Sequence, residues 1–123
     1  MCHDKKDAKL AHQLSKDLTR LGAKVWISPE SINPGESWVD AINRGLEESS
    51  HMVVLLTPAA VESKWVKMET NVAISMELDD KIQVIPLDVE PCKTPPLWNS
   101  YQMISFRQDY ETGLEQLSAS LKL

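Results

Sequence analysis

The sequence predicts an α/β domain in which a mostly parallel sheet is covered by helices on both faces. Two short runs, MVVLL at 52–56 and IQVIPL at 82–87, are largely apolar and rich in β-branched residues, which is typical of strands buried on both faces. They alternate with longer segments whose apolar residues recur at helical spacing. Proline or glycine stands at several of the junctions. Right-handed crossover connections then favour a flavodoxin-like, doubly wound sheet in three layers.

The first predicted helix runs from about Asp4 to Leu21, with Gly22 after it as a left-handed cap. Its apolar residues have the spacing of a single buried face: Leu10, Ala11, Leu14, Leu18 and Leu21. A short strand (KVWI) is predicted at 24–27, and Ser28-Pro29 ends it.

The second predicted helix follows a loop that turns at Pro34-Gly35. Ser37 is placed to cap this helix, and Asp40, three residues later, resembles the second half of a capping box. Its predicted apolar face consists of Val39, Ile42 and Leu46. The helix ends before the buried strand at 52–56, which Thr57-Pro58 closes.

A third helix is predicted from near Ser63 to about Leu78. The following strand, at 82–87, is expected to end its ladder at Pro86, because proline has no N–H to donate. The run QMISF at 102–106 predicts a short strand at the edge of the sheet. The last helix is predicted from Leu114, Leu117 and Leu121.

Length and composition predict one domain, residues 1–123, which is long enough to bury a single core. The net charge is -5 and the cations are spread along the chain, which disfavours a nucleic-acid-binding surface. No apolar run approaches the roughly 20 residues of a membrane helix, and the polar start has no signal-peptide core, so a cytosolic protein without membrane contact is expected. No metal site is predicted, because the cysteines and histidines lack the spacing of metal ligands. These residues are Cys2, Cys92, His3, His12 and His51.

Glu69 is the unusual residue of the third helix. At about 100° per residue, three apolar side chains fall within roughly 60° of Trp65 and predict the stripe that packs on the sheet; they are Met68, Val72 and Met76. Glu69 lies inside this stripe, about 40° from Trp65. An ionised carboxylate buried there must be paired, protonated or used in a cleft. The alternative is a residue at the edge of the stripe that reaches water or pairs with a lysine.

The position of this helix in the fold favours a cleft. Open parallel sheets bind ligands beyond the carboxyl ends of their strands. The helix that carries Trp65 and Glu69 follows the strand ending at Leu56-Thr57. Both side chains are therefore expected to line a crevice at that edge.

Four stretches of the chain resemble TIR (Toll/interleukin-1 receptor) domains, particularly those of bacteria and archaea. KVWISPESINPGESW at 24–38 is similar to a strand and the following BB loop of that family, and MVVLLTPAAVESKWVKME at 52–69 is similar to its third strand and catalytic helix. KIQVIPLDVE at 81–90 and PLWNSYQMISFRQDYETGLEQL at 96–117 also have family counterparts. Pro-Gly or Trp-x-x-x-Glu alone is a weak signal, but in this order and spacing they are specific.

This resemblance implies an NAD+ glycohydrolase, acting in signalling or immune defence, that cleaves the bond between nicotinamide and ribose. Glu69 matches the family's catalytic glutamate. A lone carboxylate suits this reaction, because a negative charge stabilises the oxocarbenium-like transition state and nicotinamide leaves as a neutral base. The implied substrate-binding residues are Trp65, as a flat wall against a substrate ring, with Trp38, Lys5 and Lys6. For Trp38, a hydrophobic anchor at the start of the second helix is the better interpretation.

NAD+ is expected as the substrate and no cofactor is expected, since the chain has neither G-x-G-x-x-G nor a P-loop. Ser49-Ser50-His51 lacks a strand-turn-helix elbow and is not interpreted as a nucleophilic site. The alternative function is a non-catalytic TIR module that self-associates with other TIR domains through the loop from Ser28 to Glu36. The expected interface residues in that loop are Ile32, Pro34 and Gly35. A phospho-receiver domain would need an aspartate where the chain has Leu56-Thr57-Pro58.

Two departures from the family pattern stand out. Ser28 occupies the position of the family's usual aspartate, and only MCH remains of a first strand that lies in the middle of the family's sheet. The expectation is an N-terminally truncated domain, which as it stands is not certain to be active. Either the given start lies inside the natural domain, or the central gap is closed by its neighbours, by swapping or by a partner chain. The sequence leaves open whether the product is ADP-ribose, a cyclic isomer or a base-exchange product.

Overall fold

The structure, a computed structural model, describes residues 1–27 and 33–123, apart from the side chain of Trp38. Within these residues three parallel strands form a sheet in the order β1 (His51–Leu56), β2 (Gln83–Asp88) and β3 (Ile104–Ser105). Helices cover both faces of the sheet. The predicted α/β fold class is confirmed, as are the two buried strands and the short edge strand.

The helices are α1 (Ala8–Arg20), α2 (Trp38–Glu47), α3 (Pro58–Glu62), α4 (Lys64–Leu78) and α5 (Tyr110–Ser120), with 3-10 turns at Lys5–Asp7 and Pro96–Ser100. The four predicted helices are confirmed. Asp4 caps the first turn, since its carboxylate accepts a hydrogen bond from the Lys6 N–H at 3.0 Å. Ser37 caps α2, since its hydroxyl accepts a hydrogen bond from the Asp40 N–H at 3.1 Å. Helix α3 was missed, because five residues carry no apolar period and Thr57-Pro58 was interpreted only as the end of a strand.

Alternate residues of β1 serve two cores, one on each face of the sheet. Met52, Val54 and Leu56 pack with α2 and α4, whereas Val53 and Leu55 pack with α1 and α5. Two predicted core residues are wrong, since Leu21 is 46% exposed and Val39 is 45% exposed. Leu21 follows the last residue of α1. Val39 lies off the face through which α2 packs, which consists of Ala41, Ile42, Gly45 and Leu46.

The strand predicted at 24–27 is wrong, since these residues form no strand. Only the short segment Met1–His3 lies between them and β1. Cys2 N–H donates to the Val53 carbonyl at 2.7 Å, and Leu55 N–H donates to the Cys2 carbonyl at 3.0 Å. On the other side the Met1 ammonium donates to the Trp26 carbonyl at 2.7 Å. A segment whose neighbour is this short has too few ladder bonds to become a strand.

The expected end of β2 at Pro86 is also wrong, because the strand continues to Asp88. Gln83 N–H donates to the Ser50 carbonyl, and Val89 N–H donates to the Leu56 carbonyl, so alternate residues of β2 face β1. Pro86 belongs to the other alternate set of residues, whose main-chain groups face β3. Since β3 pairs with β2 only from Leu87 onward, no ladder bond requires the missing N–H.

Candidate functional site

A cleft of about 410 Å³ opens at the carboxyl end of the sheet. We call it the carboxyl-edge cleft; it is lined by His3, Asp4, Lys5, Ser63 and Trp65. Its walls come from the N-terminal turn and from the first turn of α4. Ser63 caps this helix by accepting a hydrogen bond from the Val66 N–H at 3.2 Å. This is the edge at which open parallel sheets bind ligands.

The N-terminal wall of the cleft is tied to the end of β1. The Thr57 hydroxyl donates to Asp7 Oδ2 at 2.6 Å and accepts from the Ala60 N–H at 3.1 Å, so it also caps α3. Thr57 is 1% exposed. One buried hydroxyl therefore fixes the turn that carries His3 to Lys5 against the connection that leads to α4.

Glu69 lies on the inner face of α4 and is 1% exposed. The buried residues of this helix are Val66, Glu69, Thr70 and Ala73. The predicted stripe, from Trp65 through Met76, is only partly buried, so the true inner face is rotated by roughly 100° from it. Glu69 belongs both to the predicted stripe and to the observed inner face of α4. Its burial rules out the alternative of a side chain that reaches bulk water.

The first residues of the chain close over Glu69. Burial raises the pKa of the Cys2 thiol well above its ordinary value, and the charge of Glu69 and a hydrogen bond with it raise this pKa further. Burial lowers the pKa of the Met1 ammonium, an effect that the charge of Glu69 opposes. The carboxylate is thus held beside a protonated thiol and near an ammonium group, inside the core.

The predicted site residues are only partly brought together. Trp65 and Lys5 line the carboxyl-edge cleft. Glu69 lies one helical turn after Trp65 but behind the lining residues rather than among them. Lys6 is exposed and does not line the cleft, and the side chain of Trp38 lies outside the described residues. The roles of these residues in substrate binding and catalysis stay predictions.

Of the predicted interface loop, Ile32 lies outside the described residues, as does Ser28. Pro34 and Gly35 are exposed and form a turn closed by a 3.0 Å bond from the Glu36 N–H to the Asn33 carbonyl. Gly35, the third residue of the turn, has φ +79°. A type II turn requires a positive φ at this position.

This turn is fastened to α2. Both oxygens of the Glu36 carboxylate accept from the Arg44 guanidinium, at 2.9 and 3.0 Å. Arg44 lowers the pKa of the Glu36 carboxyl, and the Asn33 N–H adds to this effect. These two hydrogen bonds attach the described end of the loop to α2.

Sequence reasoning missed two long-range contacts of the site. Thr57 meets Asp7 across 50 positions of the chain, and Cys2 meets Glu69 across 67. The capping position of Thr57, before Pro58, was the only local signal. No cluster of three His, Cys, Asp or Glu side chains in residues 1–27 and 33–123 is arranged to hold a metal ion. No helix in the same part of the chain is both long and apolar enough to cross a membrane.

Comparison with known proteins places these observations in one family. The family described as "TIR domain" matches residues 1–118. A solved TIR domain, from a Toll-related receptor of Hydra magnipapillata, superimposes with a TM-score of 0.87 over 99% of this chain and 95% of that one, at 18% sequence identity.

Curated relatives are bacterial and archaeal. The 2' cyclic ADP-D-ribose synthase BtTIR of Bacteroides thetaiotaomicron is 25% identical over 84 residues, 68% of this chain. The NAD(+) hydrolase PdTIR of Paracoccus denitrificans is 27% identical over 80 residues, 65% of this chain. The NAD(+) hydrolase TcpA of a Theionarchaea archaeon is 24% identical over 88 residues, 71% of this chain. The matches span only 27–29% of the length of these relatives.

Proposed function

Because this chain belongs to the TIR domain family, we propose that it is an NAD+ glycohydrolase that cleaves the nicotinamide-ribose bond, with Glu69 as its catalytic carboxylate. Relatives named as NAD(+) hydrolases and 2' cyclic ADP-D-ribose synthases support this reaction class. The proposal covers NAD+ as a substrate that is consumed, self-association with other TIR domains, and a role in signalling or immune defence.

The observation that carries the proposal is the placement of Glu69. Burying a carboxylate among apolar side chains is unfavourable by several kcal/mol unless partners compensate. A fold under selection for stability alone would place an apolar residue on this inner face of α4. The acid is instead 1% exposed, one turn behind the indole that walls the cleft. Such unfavourable placements occur disproportionately at functional sites.

The reaction makes modest demands on the protein. The C–N bond between ribose and the cationic pyridinium breaks, and its electron pair leaves with neutral nicotinamide. Positive charge develops on the ribose ring, and the Glu69 carboxylate stabilises it. A water, or a hydroxyl of the same molecule, then attacks the ribose carbon and loses a proton. No acid is needed for the leaving group, which matches a site with a single buried carboxylate.

Access to Glu69 runs through the carboxyl-edge cleft. His3 and Trp65 line the cleft in front of the acid, and His3 is itself only 2% exposed. Since α4 carries both Trp65 and Glu69, we propose that Trp65 forms the wall against the nicotinamide or adenine ring.

The direct test is the release of nicotinamide from NAD+ by the 123-residue protein, followed by chromatography. The variant Glu69→Gln keeps the shape of the side chain and removes its charge. We expect it to lower the rate by at least about 100-fold, the magnitude typical for loss of one preorganised electrostatic group. Glu62→Gln is the matched control, since Glu62 is an exposed acid at the end of α3 and should keep the wild-type rate.

Thermal unfolding separates this effect from misfolding. If Glu69→Gln melts cooperatively and still releases nicotinamide at the wild-type rate, Glu69 has no catalytic role. If Glu62→Gln and Glu69→Gln lose activity equally, the carboxyl-edge cleft is not the site. Activity at the wild-type rate in Glu62→Gln alone supports the proposal.

A non-catalytic scaffold is the second candidate, and one observation favours it. The turn at Pro34-Gly35 is exposed and held to α2 by the Glu36–Arg44 pair, as a protruding contact element would be. If the protein releases no nicotinamide at concentrations at which it self-associates, and Gly35→Pro abolishes that association, the scaffold function replaces the enzymatic one.

A further inference from the structure

The two walls of the carboxyl-edge cleft belong to helix layers on opposite faces of the sheet. Lys5 is in the 3-10 turn that leads into α1, and α1 packs in the core that it shares with α5. Trp65 is in the first turn of α4, which packs in the core that it shares with α2. The sheet separates these two cores. The two layers therefore share no apolar core that would set the width of the cleft.

The N-terminal wall is not fixed by its own packing. No residue of the turn Lys5–Asp7 is buried. The first buried residue of α1 is Ala11, more than one helical turn further along the chain. Within the turn, the Asp7 N–H donates to the Asp4 carbonyl at 2.9 Å, which closes the turn without attaching it to another element. Contacts from outside the turn must therefore fix where Lys5 lies.

A buried polar contact supplies this attachment. The Thr57 hydroxyl donates to Asp7 Oδ2 at 2.6 Å, the length of a charge-assisted bond, and so joins the turn to the end of β1. The same hydroxyl accepts from the Ala60 N–H and caps α3, and Ser63 both ends α3 and caps α4. Asp7 is therefore connected to Trp65 through Thr57 and the short helix α3.

Asp7 stands where an aspartate ordinarily stabilises its own helix. It is the N-cap residue of α1, yet its side chain makes no capping hydrogen bond there. The carboxylate instead accepts from Thr57, 50 positions away. Because a capping bond would stabilise α1 locally, its replacement by a long-range contact favours a role in placing the turn.

We propose that Asp7 and Thr57 are positioning residues, whose bond holds Lys5 across the cleft from Trp65 and thereby sets the affinity for NAD+. This inference rests on the glycohydrolase function proposed above. Lys5 supplies a cation for the diphosphate and the indole contacts a ring, so a substrate that touches both needs them at a fixed separation. Glu69 lies on α4, the wall that stays in place when the bond is lost. Loss of the bond should therefore raise KM and leave kcat nearly unchanged.

The test uses two variants of Asp7 that carry the same charge. Asp7→Ala removes the acceptor of the Thr57 hydroxyl, whereas Asp7→Asn keeps an oxygen that can accept from it. We expect Asp7→Ala to raise KM for NAD+ by about three- to tenfold, the equivalent of one lost hydrogen bond, with kcat unchanged. Asp7→Asn should restore a KM close to that of the wild type. An equal rise in both variants, or a fall in kcat without a change in KM, would overturn the assignment.

Tyr101→Phe is the matched control for stability. It removes a hydroxyl that also donates to a carboxylate at 2.6 Å, that of Glu77, which lies about 18 Å along α4 from Trp65. This variant should lower the melting temperature without changing KM. If it raises KM as much as Asp7→Ala does, KM follows stability in general and the positioning role is wrong.

A double-mutant cycle tests whether the bond acts through Lys5. In the Lys5→Ala background, Asp7→Ala should raise KM by less than about twofold further, because the cation that the lost bond would misplace is already absent. A rise as large as the one in the wild-type background would show that the bond does not act by placing Lys5.

These outcomes separate the inference from the function on which it rests. Absence of nicotinamide release by the wild-type protein overturns both. Release by the wild type with an unchanged KM in Asp7→Ala overturns the positioning role alone. A raised KM in Asp7→Ala with wild-type kcat, and its restoration in Asp7→Asn, supports the positioning role.

Discussion

The carboxyl-edge cleft has a counterpart at the opposite, amino end of the sheet, a cavity of about 550 Å³ between residues 23–26 and the start of β1, which we call the amino-edge groove. The two share one segment of chain, Met1–His3, yet they are lined by different kinds of groups. His3 lines the cleft and Met1 lines the groove. The cleft presents side chains with chemical functions: an indole, a lysine, a histidine and, behind them, the Glu69 carboxylate. The groove presents main-chain donors and acceptors of β1. The activity proposed for the cleft therefore depends on the identity of single residues, whereas the shape of the groove depends on backbone conformation.

This difference teaches how each region can be damaged. We expect the activity proposed for the cleft to be lost through a substitution that keeps the fold, such as Glu69→Gln. A groove made of backbone is altered only when its walls move, so packing variants affect it most. Single-residue variants distinguish loss of side-chain chemistry at the cleft from changed packing at the groove. The largest change in free energy is expected from a packing variant.

Gly45→Ala should have the largest effect, at the amino edge. A Cβ atom at this position would lie 2.5 Å from the Trp26 ring, too close without a shift of the indole. Overpacking of this kind costs about 1–3 kcal/mol, more than the helix propensity gained by alanine. Urea unfolding measures the loss. Asn43→Ala, at an exposed position of the same helix, should be neutral or slightly stabilising; equal stability of the two variants would show that Trp26 does not pack on α2.

Thr57→Val should destabilise the carboxyl edge by about 1–2 kcal/mol, because it removes the cap of α3 and the bond to Asp7 together. A double-mutant cycle with Asp7→Ala, which removes the acceptor, isolates the second contribution. We expect a coupling free energy of about 0.5–1.5 kcal/mol between the two positions in chemical denaturation. Additive losses would mean that the Thr57–Asp7 bond does not hold the N-terminal turn.

Trp65→Leu should lower kcat/KM for NAD+ by about three- to tenfold, the equivalent of one lost aromatic contact. Its effect on stability should be small, since Trp65 is only partly buried. Trp98→Leu is the contrasting variant: Trp98 is 4% exposed and packs in the α2/α4 core, so it should lose stability while the folded protein keeps its kcat/KM. If both variants lose activity to the same extent, Trp65 has no special place at the substrate.

Cys2 should contribute the smallest effect, as a pH dependence of stability. Its folded pKa lies above the ordinary value of 9.0, chiefly through burial and then through Glu69. The folded state therefore keeps a proton that the unfolded state loses, and stability from this group is complete below pH 9.0 and declines as the pH rises above it. Melting temperatures are compared below pH 10, the ordinary pKa of tyrosine, because Tyr101, whose folded pKa is raised to about 12, adds a decline of the same sign above it.

The matched variants for this prediction are Cys2→Ala and Cys92→Ala. The first should flatten the decline of melting temperature with pH, since no buried thiol remains. The second removes a thiol that is already partly exposed and should keep the wild-type decline. An identical pH dependence in all three proteins would show that the Cys2 thiol does not titrate with unfolding.

Much of the fold was predictable because its signals are local. The inner strands β1 and β2 are continuous apolar runs, and the helices carry a periodic face with a cap at Ser37 or Ser63. At the candidate site, Trp65 was correctly expected to line a crevice at the carboxyl edge of the sheet. Glu69 was correctly expected on the inward side of α4, although the buried face is rotated from the predicted stripe. Its catalytic role stays a prediction.

By itself, the sequence determined the α/β class, the order of the buried strands and of the longer helices, and an acid placed one turn after a tryptophan on a packed helix. Only the tertiary structure decided that residues 24–27 form no strand, that β2 passes through Pro86, and that Met1–Cys2 closes over Glu69. The physical reason is the distance along the chain over which each interaction acts. Periodicity and capping act over a few residues, whereas strand pairing and the burial of a charge depend on partners about 50 or more positions away, as Cys2 with Val53 and Asp7 with Thr57 show.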